Sequence, residues 1–325
     1  MSGPRRAYIA FLACVLIGLL SWHATAAEGY PNRPVTIVVP FTPHGSTDIL
    51  GHYAAAVLQR ALHQSFIVEN RAGDGGLTGI SYVAKSASDG YTLLNASTVL
   101  TFLPYLMKSV SYDPAADFDP IVLIGLTEYS LVVAPSLNVN SVQDLIALAK
   151  AKPGVLTYAS AGIGTPHQLF AELFRSMANV EIRHIPYNGV VPALPDVMSG
   201  KVSMIFADLA PSLPMIKDGK LKILAVASST RNQDMPNVPT IGETLPGYEA
   251  HGWQGLLARA GTPKSIVDKI NSVLVADLKR PELAERFKSI GIEARWNTPE
   301  EFRAFIASES AKWGKVIRAA DIEPQ

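Results

Sequence analysis

The residues of this 325-residue chain best suited to chemistry lie where strands run into helices through loops of small residues. Tyr158-Ala159-Ser160-Ala161-Gly162-Ile163-Gly164-Thr165-Pro166-His167 reads as a strand entering such a loop and opening a helix, with Thr165 at the N-cap and Pro166 at the first helical position. A helix start presents unpaired backbone N–H groups and the positive end of the macrodipole, and small residues let an anion approach them. The chemistry is capture of a phosphate or a carboxylate; the plainer reading is a tight turn that packs the helix on its sheet. A second such start lies at Phe41-Thr42-Pro43-His44-Gly45-Ser46-Thr47-Asp48, where Ser46 or Thr47 can cap and turn a hydroxyl outward. Phe41 offers either an aromatic wall or a core side chain. His44, set against a bound carboxylate, would be favoured in its protonated form.

Catalysis has weaker support. No G-x-S-x-G elbow and no H-E-x-x-H pair occurs, and the histidines at 44, 52, 63, 167, 184 and 251 show no metal-ligand spacing. Ser46, His167 and Asp208 can be assembled on paper into a hydrolase triad, which leaves an exported serine hydrolase using the same cleft as the alternative. Gly162-x-Gly164-x-x-His167 and Gly73-x-Gly75 with Thr78 each miss a glycine of the dinucleotide fingerprint, although Glu181 stands near the distance of a ribose-binding acid. The reading preferred is a binding protein with no catalytic residue, no metal and no cofactor.

Positioning these loops requires strands and helices in alternation. Val35-Thr36-Ile37-Val38-Val39, bounded by Pro34 and Pro40, reads as a buried strand, followed by a helix from about Asp48 to Leu62 and a strand at Ser65 to Glu69. A glycine-rich loop at Arg71 to Gly76, a helix to about Ser86 and a strand at Tyr91 to Leu94 continue the βαβ pattern and predict a parallel sheet. Two strand-like runs, 121–125 and 130–134, sit close together and read as a first crossing between domains. A second α/β set then runs from the helix at 142–151 to the strand at 224–227. The Asn-, Pro- and Gly-rich stretch 228–246 is the return crossing, and helices beginning at Pro263, Pro281 and Pro299 close the chain. The expected division is residues 27–127 with 251–325 in lobe 1 and 128–250 in lobe 2. Ligands of such sheets sit in the cleft at strand C-termini.

Composition fits this picture. With 48% hydrophobic and 17% charged residues, the chain can bury real cores. Arg5-Arg6, an apolar run from Ala7 to Leu20 and the small-residue stretch to Ala26 predict an export signal cleaved near Ala26; about 14 apolar residues are fewer than the ~20 that span a bilayer. Basic and acidic residues number 28 each, and since Arg5 and Arg6 fall in that signal, the remainder carries a net −2 with no basic cluster, which excludes a nucleic-acid partner. The single cysteine, Cys14, also falls in the signal.

Further motifs carry a family likeness. Tyr30-Pro31-x-x-Pro34-Val35, Val39-Pro40-Phe41 with Gly45-Ser46-Thr47-Asp48, Glu69-Asn70-Arg71-Ala72-Gly73, Asp89-Gly90-Tyr91-Thr92-Leu93, Tyr112-Asp113-Pro114, Gly162-x-Gly164-Thr165, His184-x-Pro186-Tyr187, Val238-Pro239-Thr240 and Gly261-Thr262-Pro263 occur in order. This set resembles the substrate-binding proteins of tripartite tricarboxylate transporters, the Bug receptors. The resemblance implies an α/β type II periplasmic binding-protein fold, two lobes joined by two crossover segments that close on a ligand. It also implies a periplasmic receptor that hands a di- or tricarboxylate or an aromatic acid to a membrane permease, with a sensor kinase as a further candidate partner; a monomer is expected because nothing in the sequence demands more. Carried over residue by residue, the site is Phe41, His44, Gly45, Ser46, Thr47 and Asp48 in the first loop and Ala161, Gly162, Gly164, Thr165 and His167 in the second. Ser97 and Thr98 follow the third strand, and Tyr187, Asn188, Phe206 and Asp208 match further cleft-facing segments. The chain departs from the family where His44-Gly45 replaces a Gly-Gly, where Ala207 follows Phe206 with the acid one place on at Asp208, and where Asn188 replaces a common Lys. These departures fall where ligand choice is set.

Overall fold

The computed structural model describes residues 29–319 together with 322 and 324; the export signal expected over residues 1–26, with Cys14, lies outside the described residues. The β-branched run between prolines is β1 (Val35–Val39), and α1 (Ser46–Leu62), β2 (Phe66–Asn70), α2 (Leu77–Ala84), β3 (Thr92–Ser97) and α3 (Val99–Leu106) follow. β4 (Phe118–Thr127) then runs into β5 (Tyr129–Val133) with Glu128 alone between them. The second α/β set is α4 (Val142–Ala151), β6 (Thr157–Ser160), α5 (Pro166–Ala178), β7 (Arg183–Pro186), α6 (Val190–Met198), β8 (Met204–Asp208), α7 (Leu209–Lys217) and β9 (Lys222–Val226). The chain returns through β10 (Gly252–Arg259), α8 (Lys264–Leu278), α9 (Pro281–Lys288), β11 (Ile292–Ala294) and α10 (Pro299–Ala319).

Two sheets result, each the centre of one lobe. One has the order β11-β4-β10-β3-β1-β2 and the other β7-β6-β8-β5-β9. The parallel sheet expected from the alternation is only part of each. β1 pairs in parallel with β2 and β3, and β6 with β7 and β8, but β10 lies antiparallel to β3 and β4, and β5 antiparallel to β8 and β9. The reason is the crossings. A strand that enters a lobe from the connection runs against strands that deliver their loops toward it.

The helices are placed by apolar stripes. On α1, Leu50, Ala54, Val57 and Leu58 recur four, seven and eight residues apart, and this stripe shares a core with Val35 and Ile37 of β1 and Ile270 and Leu274 of α8. On α5, Phe170, Phe174 and Ala178 lie over Met204 and Phe206 of β8. Each buried Leu, Val, Ile, Phe or Met side chain of these stripes contributes roughly 1.5–3 kcal/mol relative to exposure. β10 was missed from the sequence because Gly252 and Gly255 weaken the strand pattern. In the fold, a Cβ on Gly255 would stand 2.3 Å from the Phe302 ring of α10, so close packing against a distant helix explains the glycine. α10 also joins the lobes: its Trp313 packs against Phe102 of α3, ring centroids 5.0 Å apart, and against Phe170 of α5 at 5.5 Å.

Candidate functional site

The two helix starts singled out from the sequence meet across the gap between the lobes. On the first side, α1 begins at Ser46 and not at Asp48, and Gly45 takes the N-cap position. Neither Ser46 nor Thr47 is the cap. Instead Asp48, in the first turn, accepts the His44 N–H at 2.8 Å and an Asn70 Nδ2–H at 2.8 Å, and His44 sits in the left-handed region at φ 71°. The loop is thus tied by Asp48, and Ser46 Oγ is left buried with no hydrogen-bond partner. The Ser46 N–H points across the cleft to Asp208 Oδ2 at 3.5 Å, a long contact.

On the second side, α5 begins at Pro166 as its spacing predicts, with Thr165 in the N-cap position. Its hydroxyl does not cap: Thr165 Oγ1 donates to the Gly162 carbonyl at 2.6 Å, and the Gly164 N–H donates to Gln168 Oε1 at 2.7 Å. What this loop offers the cleft is the His167 ring. The loop is braced from behind by Ser160, whose Oγ lies 2.6 Å from His184 Nε2 and accepts the Gly162 N–H at 3.1 Å. His184 stacks on Tyr158 at 4.8 Å, and burial pushes its imidazole down to about 4.

Between the lobes lies a cavity lined by Phe41, Thr42, Gly45, Ser46, Thr47 and Ser97 on one side and by Tyr129, Ala161, Pro166, His167, Val190 and Asp208 on the other. About 20 Å³ of it is open to water centres, roughly the room of one water, so the lobes are shut on one another. Two glycines permit that approach. A Cβ on Gly75 (φ 65°) would stand 1.8 Å from the Ile163 carbonyl oxygen, and one on Gly189 (φ 135°) 2.0 Å from Thr42 Oγ1.

Among the described residues, charge in the cavity is confined to one pair. His167 Nε2 and Asp208 Oδ1 are 3.1 Å apart, and both residues are 5% exposed. The pair is close without being aligned, for neither His167 nitrogen makes a hydrogen bond of good geometry. Burial drives the Asp208 carboxyl upward, but the opposing pull of His167, Tyr129 and Ser46 outweighs it and holds the group below its ordinary value. Tyr129 lies directly opposite Asp208 in the antiparallel register, and burial together with that carboxylate pushes its phenol far above the usual range.

Of the residues expected at the site, Phe41, Gly45, Ser46, Thr47, Ser97, Ala161, His167 and Asp208 line the cavity. The others do not. His44 is exposed and Asp48 is turned into its own loop. Thr98 is engaged with the return strand, its Oγ1 accepting the Trp253 N–H at 3.0 Å. Gly162 and Gly164 are backbone packing positions, against Gly75 and Leu103, and Thr165 is turned inward. Tyr187 donates its hydroxyl to Asp196 at 2.6 Å, and Asn188 is exposed. Phe206 lies in the core between Phe174 and Tyr248. Strand alternation places Met204, Phe206 and Asp208 on the α5 side of β8, and the helix covers all but the last. Thr42, Tyr129, Pro166 and Val190 line the cavity without having been singled out. Thr42 and Pro166 fall inside the two loops, Val190 opens α6, and Tyr129 is found only through its register with Asp208.

Ser46, His167 and Asp208, the three residues of the hydrolase alternative, do surround one cavity, yet Ser46 Oγ makes no hydrogen bond to His167, and the nucleophile–base link of a triad is missing. Among the described residues no helix is long and apolar enough to cross a membrane, and no group of three or more His, Cys, Asp or Glu is placed to hold a metal.

Comparison with known proteins agrees with this geometry. A family profile described as tripartite tricarboxylate transporter family receptor matches residues 52–322. The chain is 37% identical to the protein BugT of Bordetella pertussis over 296 residues, covering 90% of this chain and 91% of BugT. It is similar to the structure of R. palustris Rpa4515 with adipate, with a TM-score of 0.89 and 36% identity over 91% of this chain and 100% of that one. It is also similar to MatC from Rhodopseudomonas palustris with bound malate, with a TM-score of 0.84 and 28% identity over 89% of this chain and 100% of that one. The matched family is one of receptors, and the two solved structures hold adipate and malate; none of this supports the hydrolase reading.

Proposed function

Because the chain belongs to the tripartite tricarboxylate transporter family of receptors, we propose that it captures a small carboxylate in the cleft between its lobes and delivers it to membrane permease subunits. It is a solute-binding receptor and not an enzyme. The observation that carries the ligand class is the pair of buried hydroxyls without hydrogen-bond partners at one cavity, Ser46 Oγ and Ser97 Oγ, together with the starts of α1 and α5 and the His167 ring that lines it. Helix N-termini and hydroxyls together hold an anion without a full positive charge. The apolar walls of Phe41 and Val190 leave the remainder of the ligand uncharged there.

In this reading the ligand bridges the lobes, stabilises the shut form through its differential affinity, and the permease recognises that shut surface. The protein works in the periplasm after removal of residues 1–26, and a sensor kinase is a second candidate partner. Isothermal calorimetry with a panel of mono- and dicarboxylates tests the proposal. At least one member should bind one-to-one and raise the melting temperature with concentration, at a hundred times its Kd by about 2.7 kcal/mol of added stability. A panel that leaves both heat and melting unchanged sinks it.

A further inference from the structure

We infer that the Asp208–His167 pair sets the net charge of the ligand, so that the cleft takes a carboxylate with one net negative charge in preference to a dianion of the same shape. This rests on the carboxylate-receptor reading above and narrows it. Among the described residues no Lys or Arg lines the cavity, and the acidic and imidazole groups there are Asp208 and His167, 3.1 Å apart. With His167 protonated the pair is neutral; with His167 neutral the cleft carries −1. In neither state is the lining net positive.

The remaining positive potential comes from helix N-termini at the lining, those of α1, 17 residues long, α5, 13 residues long, and α6, which opens at Val190, each a partial charge of up to roughly +0.5, while Asp208 is itself the N-cap residue of α7. Asp48, buried in the first turn of α1, offsets part of the first. None of these ends is a full cation, and the Asp208 carboxylate stands among them. A second carboxylate would meet no cation and would stand close to Asp208, well inside the ~10 Å over which salt screens a charge. The opposite groups on the wall, Phe41, Ala161, Pro166 and Val190, are apolar and suit an uncharged body. Asp208 is held ionised by its own neighbours, so the acid itself does not relieve the repulsion by taking up a proton at neutral pH.

The test is calorimetry at pH 7.5 on the full receptor with charge-matched pairs, adipate against monomethyl adipate and succinate against monomethyl succinate, read on the pair that shifts the melting temperature more. The monoester is expected to bind at least about tenfold more tightly than its dianion, and Asp208→Asn should abolish or reverse that preference. A dianion that binds wild type as tightly as its monoester, or more tightly, overturns the inference and leaves the receptor reading standing. If no carboxylate in the wider panel binds, the receptor reading itself fails and takes the inference with it. Should Asp208→Asn not fold, as judged by its melting curve, the wild-type ratio decides alone.

Discussion

The starts of α1 and α5 obey the same sequence logic and are used in opposite ways. At α1 the acidic residue of the first turn ties the loop, through the His44 N–H, so that Ser46 is free to face the cleft with both its N–H and its hydroxyl. At α5 the loop is tied by its own hydroxyl and amide, Thr165 to Gly162 and Gly164 to Gln168, and the cleft receives a ring from the second helical residue. A helix start therefore has a fixed number of spare polar groups, and which of them face a ligand depends on which ones the loop consumes in holding itself. The first start offers the cleft a backbone N–H and a hydroxyl; the second offers a side-chain ring that stands 3.1 Å from Asp208.

The comparison breaks most sharply if the lobes are kept apart. Gly75→Ala places a Cβ where the Ile163 carbonyl oxygen stands, 1.8 Å away. The shut form should lose a few kcal/mol and ligand affinity about a hundredfold or more, measured by calorimetry, while the isolated fold loses only about 1 kcal/mol from the left-handed backbone. Unchanged affinity would mean that the two starts need not approach this closely.

Next comes the contrast between the starts themselves. Ser46→Pro removes both the N–H and the hydroxyl that face the cleft, at the first helical position, where proline is well tolerated, and Gly45 before it is already extended at ψ 169°. Losing a hydrogen bond to a charged ligand group costs roughly 1.5–3 kcal/mol, so affinity should fall by at least about ten- to a hundredfold. Thr165→Ala should cost stability of about 1 kcal/mol by thermal melting and leave affinity within about threefold, because its hydroxyl serves Gly162. Equal affinity losses in the two variants would refute the asymmetry.

A smaller effect separates the brace behind the second start. His184 has its folded value pushed down to about 4 against 6.5 when free. The unfolded chain therefore takes up the proton first as pH falls. The contribution to stability is whole above about 6.5 and is lost progressively toward pH 4, and His184→Gln should flatten the melting temperature across that window. A wild-type profile already flat there would show that the ring is not held neutral by the fold. The smallest effect is expected at His44, exposed and outside the cavity. His44→Gly should leave affinity within about twofold and its pH profile unaltered, since the ring adds no charge to the site.

How much of this was legible in advance differs between particular elements. β1, α1, β6 and α5 were readable because their signals are local: a β-branched run between prolines, small residues in a loop, a proline at a first helical turn. α3 and α7 were not, because Pro104 and Pro214 inside them look like breakers, and they hold only through packing. β10 was hidden by Gly252 and Gly255, which are explained by close packing against Tyr129 of β5 and Phe302 of α10. At the site, Thr98 has the same kind of exposed-loop signature as Ser97, yet the first is engaged by the Trp253 N–H and the second is left open to the cavity.

By itself the sequence determined where helices start behind small-residue loops, and hence that an anion site was to be looked for, because capping and helix polarity depend on neighbours within a few positions. Only the tertiary structure decided which atoms reach the ligand: the register that sets Tyr129 against Asp208, the helix that covers Phe206 and spares Asp208, and the 3.1 Å between that acid and His167. Those depend on strand pairing and on the meeting of two lobes, contacts between residues far apart in the chain, which no local pattern records.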